Sequence, residues 1–194
     1  MSTLAEYPSF PSNLTWDEFL ALPHELRNAS LIDGEVVVNP PNEQHEFVVQ
    51  NLILVFREWI RSGHDRGQVS TQQPVRINPR RGYQPDFAWY PQDRCAPAGQ
   101  PRAHRGRLPG LVVEVLSPST RKRDLLRKRR DYESIGVNEV WFVEQTPWGG
   151  PLIACQRRAP GQPFVDIKVD IGGVLTSPLL DGFEVRVGLL YEDF

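Results

Sequence analysis

Polar and apolar positions along this chain change rhythm several times, and each change predicts an element. "TWDEF" offers Thr15 and Glu18 at capping-box spacing, opening a short helix that Pro23 limits. "LIDGEVVV" sets apolar residues around Asp33-Gly34, the signature of a tight hairpin turn. From Glu43 to Ser62 the apolar positions recur at helical spacing: Phe47, Asn51, Leu52, Val55, Trp59 and Ile60 share a face, and Gly63 caps the end. "QVSTQQPVRI" reads as one strand with Pro74 at an edge or bulge, "NPRRGY" as a turn, and "QPDFAWY" as a second strand. Residues 91–109 carry Pro, Gly, Ala and Arg without periodicity and read as an exposed loop.

"LVVEVL" at 111–116 is a near-continuous apolar strand with a glutamate inside it. The next twenty residues read as a second long helix ending at Gly136, with Leu125, Tyr132 and Ile135 on one face. "EVWFVEQ" is a further strand, and "PLIACQRR", "FVDIKV" and "GFEVRV" close the chain as antiparallel strands. Apolar strands that alternate with helices predict a mixed α/β or α+β domain whose sheet is covered on both faces.

Composition changes this picture little. The 194 residues suffice for one domain, taken as 1–194, and 40% apolar with 24% charged residues is ordinary for a soluble globular protein. A net charge of −2 does not advertise a nucleic-acid binder, although residues 121–130 hold seven basic side chains against one aspartate. Cys95 and Cys155 are too few for a disulfide framework, and the start of the chain shows no signal-peptide pattern. No stretch is long and apolar enough to span a bilayer, so the expected location is the cytoplasm.

The chemistry starts from Glu114. A bare carboxylate inside an apolar strand costs several kcal/mol, about the stability of a small domain. Alternation puts Val112, Glu114 and Leu116 on one strand face, and Asp86 opens another strand. If the strands are neighbours the two carboxylates converge, and a cation must compensate them. A divalent hard metal is one candidate. The other is a side chain from the basic helix, where Asp124, Lys128 and Tyr132 follow at intervals of four and share an inward face.

Together "TWDEFLALP", "LIDGEVVVNPP", "NEQHEFVVQNL", "QPDFAW", "LVVEVLSPST", "RDLLRKRRDYESIGVNEVWFVE" and "SPLLDGFEV" resemble the Uma-two family, grouped with the PD-(D/E)XK nucleases, from about Thr15 onward. The resemblance implies a restriction-endonuclease-like core: a central mixed sheet flanked by helices, with added antiparallel strands. It implies Asp86 and Glu114 as ligands of Mg²⁺ or Mn²⁺ and hydrolysis of phosphodiester bonds in DNA. The superfamily lysine, two residues after the glutamate, is here Leu116, so the resemblance implies that Lys128 supplies the amine. Glu35 and His45 fall at the family's N-terminal acidic and histidine positions, to complete the metal shell or orient water. Arg121, Lys122 and Arg123 would contact flanking phosphates, making binding salt-dependent. The alternative expectation, favoured by Leu116 and the slightly acidic charge, is a non-catalytic nucleic-acid-binding or oligomeric module. The late strands and the apolar "EVWFVE" edge would offer a homodimer surface.

Overall fold

The computed structural model describes residues 10–22, 29–38, 43–95, 107–116, 121–144, 146 and 149–192; the side chains of 121–124 lie outside what it describes. In chain order the described elements are α1 (Trp16–Ala21), β1 (Ala29–Ile32), β2 (Glu35–Val38), α2 (Glu43–Arg61), β3 (Gln68–Ser70), β4 (Val75–Asn78), β5 (Arg81–Tyr83), β6 (Phe87–Tyr90), β7 (Leu111–Leu116), α3 (Arg121–Ser134), β8 (Glu139–Glu144), β9 (Leu152–Arg157), β10 (Phe164–Val169), β11 (Val174–Thr176) and β12 (Glu184–Arg186).

Six strands form the main sheet in the order β10-β9-β8-β7-β6-β3. Only β7 and β8 run parallel, joined through α3; the other neighbours are antiparallel. Both faces are covered, which is why β7 is buried at every position and reads as an apolar run. On one face α2 packs Val48, Leu52, Phe56 and Trp59 against Val113, Val115, Trp141 and Val143. On the other, Tyr132 of α3 joins Val112, Leu116, Val140 and Phe142. The predicted mixed fold is therefore present, with a helix on each side of a mixed sheet.

A second sheet, β2-β1-β5-β4, is antiparallel throughout. One of its faces holds Leu31 with Leu14, Trp16 and Phe19; the other sends Val75 and Tyr83 into the α3 side of the core. The Thr15 capping box forms as the spacing predicts, with the Thr15 N–H and hydroxyl donating to Glu18 and the Glu18 N–H donating back to Oγ1. Asp33 and Gly34 take positive φ (55° and 90°), the double left-handed turn that suits the twist of a hairpin. Gly136 (φ 89°) ends α3, where the Val137 N–H donates to the Tyr132 carbonyl.

Several expectations are corrected. "QVSTQQPVRI" is two strands in different sheets: Gln72 turns the chain at φ 54° and Pro74 follows, so β3 pairs with β6 while β4 pairs with β5. The "NPRRGY" turn contains β5 itself. Asn51, Leu52 and Trp59 of the predicted α2 face are buried, but that face is shifted, with Val48, Val49 and Phe56 also inside and Phe47 and Val55 only half-buried. Phe56 sets that shift: its ring centroid lies 4.7 Å from Phe87, 5.6 Å from Trp141 and 4.6 Å from Phe183. β8 is no edge. It lies between β7 and β9 with five of its six residues buried, so it offers no dimer surface. Pro23, residues 39–42, most of the 91–109 loop and residues 117–120 lie outside the described residues.

A second carboxylate is buried at the start of β8. Glu139 accepts from Trp141 Nε1 at 2.5 Å, Gln156 Nε2 at 2.8 Å and Ser177 Oγ at 2.6 Å, fastening β9 and the segment after β11 to the sheet. Burial pushes its pKa up, against those three hydrogen bonds.

Because Phe56 is the junction of four aromatic rings on the α2 face, Phe56→Ala should lower the unfolding free energy by about 3–5 kcal/mol. A urea denaturation series checks it; a loss near zero would mean the α2 face carries little of the core.

Candidate active site

Alternation and register bring the two predicted carboxylates together. β6 pairs with β7 as Phe87↔Val113, Ala88↔Val112 and Trp89↔Leu111, and the ladder stops at Phe87. One further step would set Asp86 opposite Glu114. There the side chain takes over from the backbone: Asp86 Oδ2 accepts the Val115 N–H at 2.7 Å. This contact pins the acid to the strand that carries Glu114.

Glu114 is 2% exposed. Its Oε2 accepts from Lys128 Nζ at 2.7 Å, and its Oε1 from the Tyr132 hydroxyl at 2.6 Å. Both donors stand on α3, four residues apart, so one helical face delivers a charge and a hydroxyl to one carboxylate. The compensation for a buried charge is thus a lysine on the predicted inward face. Burial pushes the Glu114 pKa up; Lys128 and Tyr132 oppose it and the charge of Asp86 adds to it. Burial and the neighbouring Glu114 hold the Tyr132 phenol far above its ordinary pKa, so it remains a donor.

His45, in the first turn of α2, places Nε2 3.0 Å from Asp86 Oδ1. Burial works against its charged form, but the hydrogen bond and charge of Asp86, with Glu46 and Glu114 beyond, outweigh it and raise its pKa. Four of the sequence-selected residues (Asp86, Glu114, Lys128 and His45) therefore meet in one place, from the residue just before β6 and from β7, α3 and α2. Glu35 does not join them. It is exposed at the start of β2, paired with Ile32, and among the described residues no hydrogen bond or ion pair ties it to either acid. Arg121, Lys122 and Arg123 open α3, but their side chains lie outside the described residues.

Tyr132, which the sequence placed on the inward face of the helix without a role at the site, belongs to the site as well as to the core. Its interval of four from Lys128 was the available signal. Asp131, Tyr83 and Arg81 were missed outright: Tyr83 donates to Asp131 Oδ2 at 2.5 Å, and Arg81 bridges Asp131 and Asp33. Nothing local in "RRGYQ" announces that partnership, which joins residues 48 apart.

The donor set suits a hard cation. Among the described residues each of the four carboxylate oxygens accepts a contact, and a carboxylate oxygen has two lone pairs to offer. Among the described residues no group of three or more His, Cys, Asp or Glu that could hold a metal ion is found, so a metal at this point would rest on the two carboxylates. Mg²⁺ commonly takes one or two carboxylates and completes its shell with water and phosphate.

A mixed sheet with a helix on each face and paired acids at the end of its central strands has the architecture of a nuclease-like protein. The chain belongs to the Uma2 family, described as "Putative restriction endonuclease", whose model matches residues 16–188. Among solved structures it is similar to a putative nuclease belonging to DUF820 from Anabaena variabilis, with a TM-score of 0.74, 16% identity, and 92% of this chain and 97% of that one covered. At that identity the likeness establishes the fold. No curated protein matches the chain. Among the described residues no helix is long and apolar enough to cross a membrane.

Two expectations follow for the metal-free protein. Lys128→Met strands Glu114 without its cation and should cost about 3–5 kcal/mol, while the double variant Lys128→Met/Glu114→Gln should recover more than half. Urea unfolding of both variants is the check, and a double variant no more stable than the single would refute the pairing. The raised pKa of His45 contributes stability fully present below the ordinary histidine value and lost as pH rises through the folded one. His45→Gln should therefore cost more stability at about pH 6 than at about pH 8.5; equal losses at both would dismiss a charged His45–Asp86 pair.

Proposed function

We propose that this chain is a metal-dependent endonuclease that hydrolyses phosphodiester bonds in DNA. The observation that carries the reading is the convergence of Asp86 and Glu114 on adjacent strands, with the Lys128 ammonium 2.7 Å from Glu114. Asp86 and Glu114 would hold Mg²⁺ or Mn²⁺, which when bound supplies a Lewis acid for the phosphate and lowers the pKa of water.

The chain's own residues do the rest. Tyr132 and the Val115 N–H fix the two carboxylates in orientation. His45 holds Asp86 from the α2 side. Lys128 Nζ, beside Glu114, would stabilise negative charge developing on a phosphate oxygen, and a fixed cation is worth most in a water-poor site. Arg121, Lys122 and Arg123, at the start of α3, would hold flanking phosphates and orient the strand. Exposed Glu35 has a role only if the bound nucleic acid reaches β2.

One observation favours a second reading. Leu116, at the superfamily lysine position, is buried in the core, and the amine that replaces it already neutralises Glu114. A lysine spent on that pairing fits a non-catalytic nucleic-acid-binding module.

Wild type should nick supercoiled plasmid with Mg²⁺ or Mn²⁺, and Asp86→Ala or Glu114→Ala should abolish cutting and metal binding by calorimetry. Lys128→Ala should lower the rate about 10²–10³-fold. A double-alanine variant that binds metal as wild type does would overturn the site. Salt-sensitive DNA binding without cleavage across several metals would establish the second reading.

A further inference from the structure

Lys128 touches more than Glu114. Its Nζ lies 5.4 Å from the centroid of the Tyr83 ring, within the range where a cation is drawn to an aromatic face. Tyr83 is fully buried, and it comes from β5 of the small sheet rather than from the sheet that carries the acids. Its hydroxyl donates to Asp131 Oδ2 at 2.5 Å, and its ring leans on Tyr132 with centroids 5.6 Å apart. Asp131 is itself buried on α3 and takes Arg81 Nη1 at 3.3 Å; Arg81 then reaches Asp33 in the exposed hairpin turn.

We propose that Tyr83 is a positioning residue for Lys128: its ring, held by Asp131 and Arg81, fixes the ammonium over Glu114. The inference rests on the reading of Lys128 as the amine of the site, and it gives the small sheet a part in that site. A lysine carries four rotatable bonds, so one carboxylate oxygen fixes where Nζ ends but leaves the stem free to swing about it. A ring face on a second side removes that freedom. Donation of the phenol proton toward a carboxylate enriches the ring in electron density and strengthens its hold on a cation. Burial, with the hydrogen bond and charge of Asp131, keeps that proton on Tyr83 at all working pH. The same ring supports Tyr132, so both donors to Glu114 rest against one side chain.

The chain has three lysines, Lys122, Lys128 and Lys168, so lysine-labelled protein gives few NMR signals, and Lys128→Arg assigns the one of interest. In wild type the Lys128 ε-methylene protons should lie upfield of those of exposed Lys168 and show cross-relaxation to the Tyr83 ring. Tyr83→Phe keeps the ring and should keep both features, whereas Tyr83→Leu should move the Lys128 signal toward that of Lys168. In plasmid cleavage Tyr83→Leu should lower kcat about tenfold with KM within about twofold and metal affinity unchanged, and Tyr83→Phe should lose far less. Absence of the cross-relaxation in wild type, or an unmoved Lys128 signal in Tyr83→Leu, overturns the proposal. If Tyr83→Leu does not fold, wild type and Tyr83→Phe decide it. A wild type that cuts nothing counts against the nuclease reading, while the NMR result still rules on Tyr83.

Discussion

A carboxylate locked inside a sheet is the constraint around which this protein is arranged. Glu114 sits on β7, where every neighbour along the strand is apolar, and water cannot solvate it. The fold answers with a helix whose inward face carries a cation and a phenol, both spent on the same side chain. A buried ion pair of this kind adds little net stability, since desolvation consumes much of the attraction. A pair that adds little stability of its own, buried beside a second carboxylate, is a candidate for chemistry. Glu139 makes the contrast. Three neutral donors satisfy it, among the described residues no cation stands against it, and it fastens strands at the far end of β8.

The site is assembled across both sheets and both long helices. β7 and the residue just before β6 contribute the acids, α3 the amine and phenol, α2 the histidine, and β5 the aromatic ring beneath the amine. None of these segments could hold its side chain in place alone. The register of β6 on β7 fixes one acid against the other, and the seating of α3 fixes the amine against both. The geometry is therefore a product of tertiary packing.

Much of this was legible before any coordinates. Glu114 stood out because a charge inside a strand buried on both faces demands compensation from elsewhere in the chain. Asp86 was found by supposing adjacent strands, and the β6–β7 register met that supposition. Lys128 was reachable because helical periodicity is strict: four residues from Tyr132 is one face. What failed had physical causes as well. The split of "QVSTQQPVRI" depends on a left-handed Gln72 and on two sheets competing for neighbouring residues, and single-strand patterning carries no trace of that. β8 looked like an edge because apolar runs resemble one another whether a strand is flanked on one side or on two. Tyr83 and Asp131 were invisible because they lie far apart in the chain and neither is an unusual residue in its own segment.

Leu116 has a further consequence. The acid and its amine are separated by fourteen residues and two elements, where the superfamily pattern keeps both within one strand. Strand position 116 is thereby released to serve as ordinary filling, and its replacement by another branched aliphatic would be tolerated. The spacing of acid and amine, meanwhile, becomes hostage to how α3 docks. A pattern search that insists on a lysine two steps beyond the acid would pass over such a chain, and one that asks which helix faces the acid would find it.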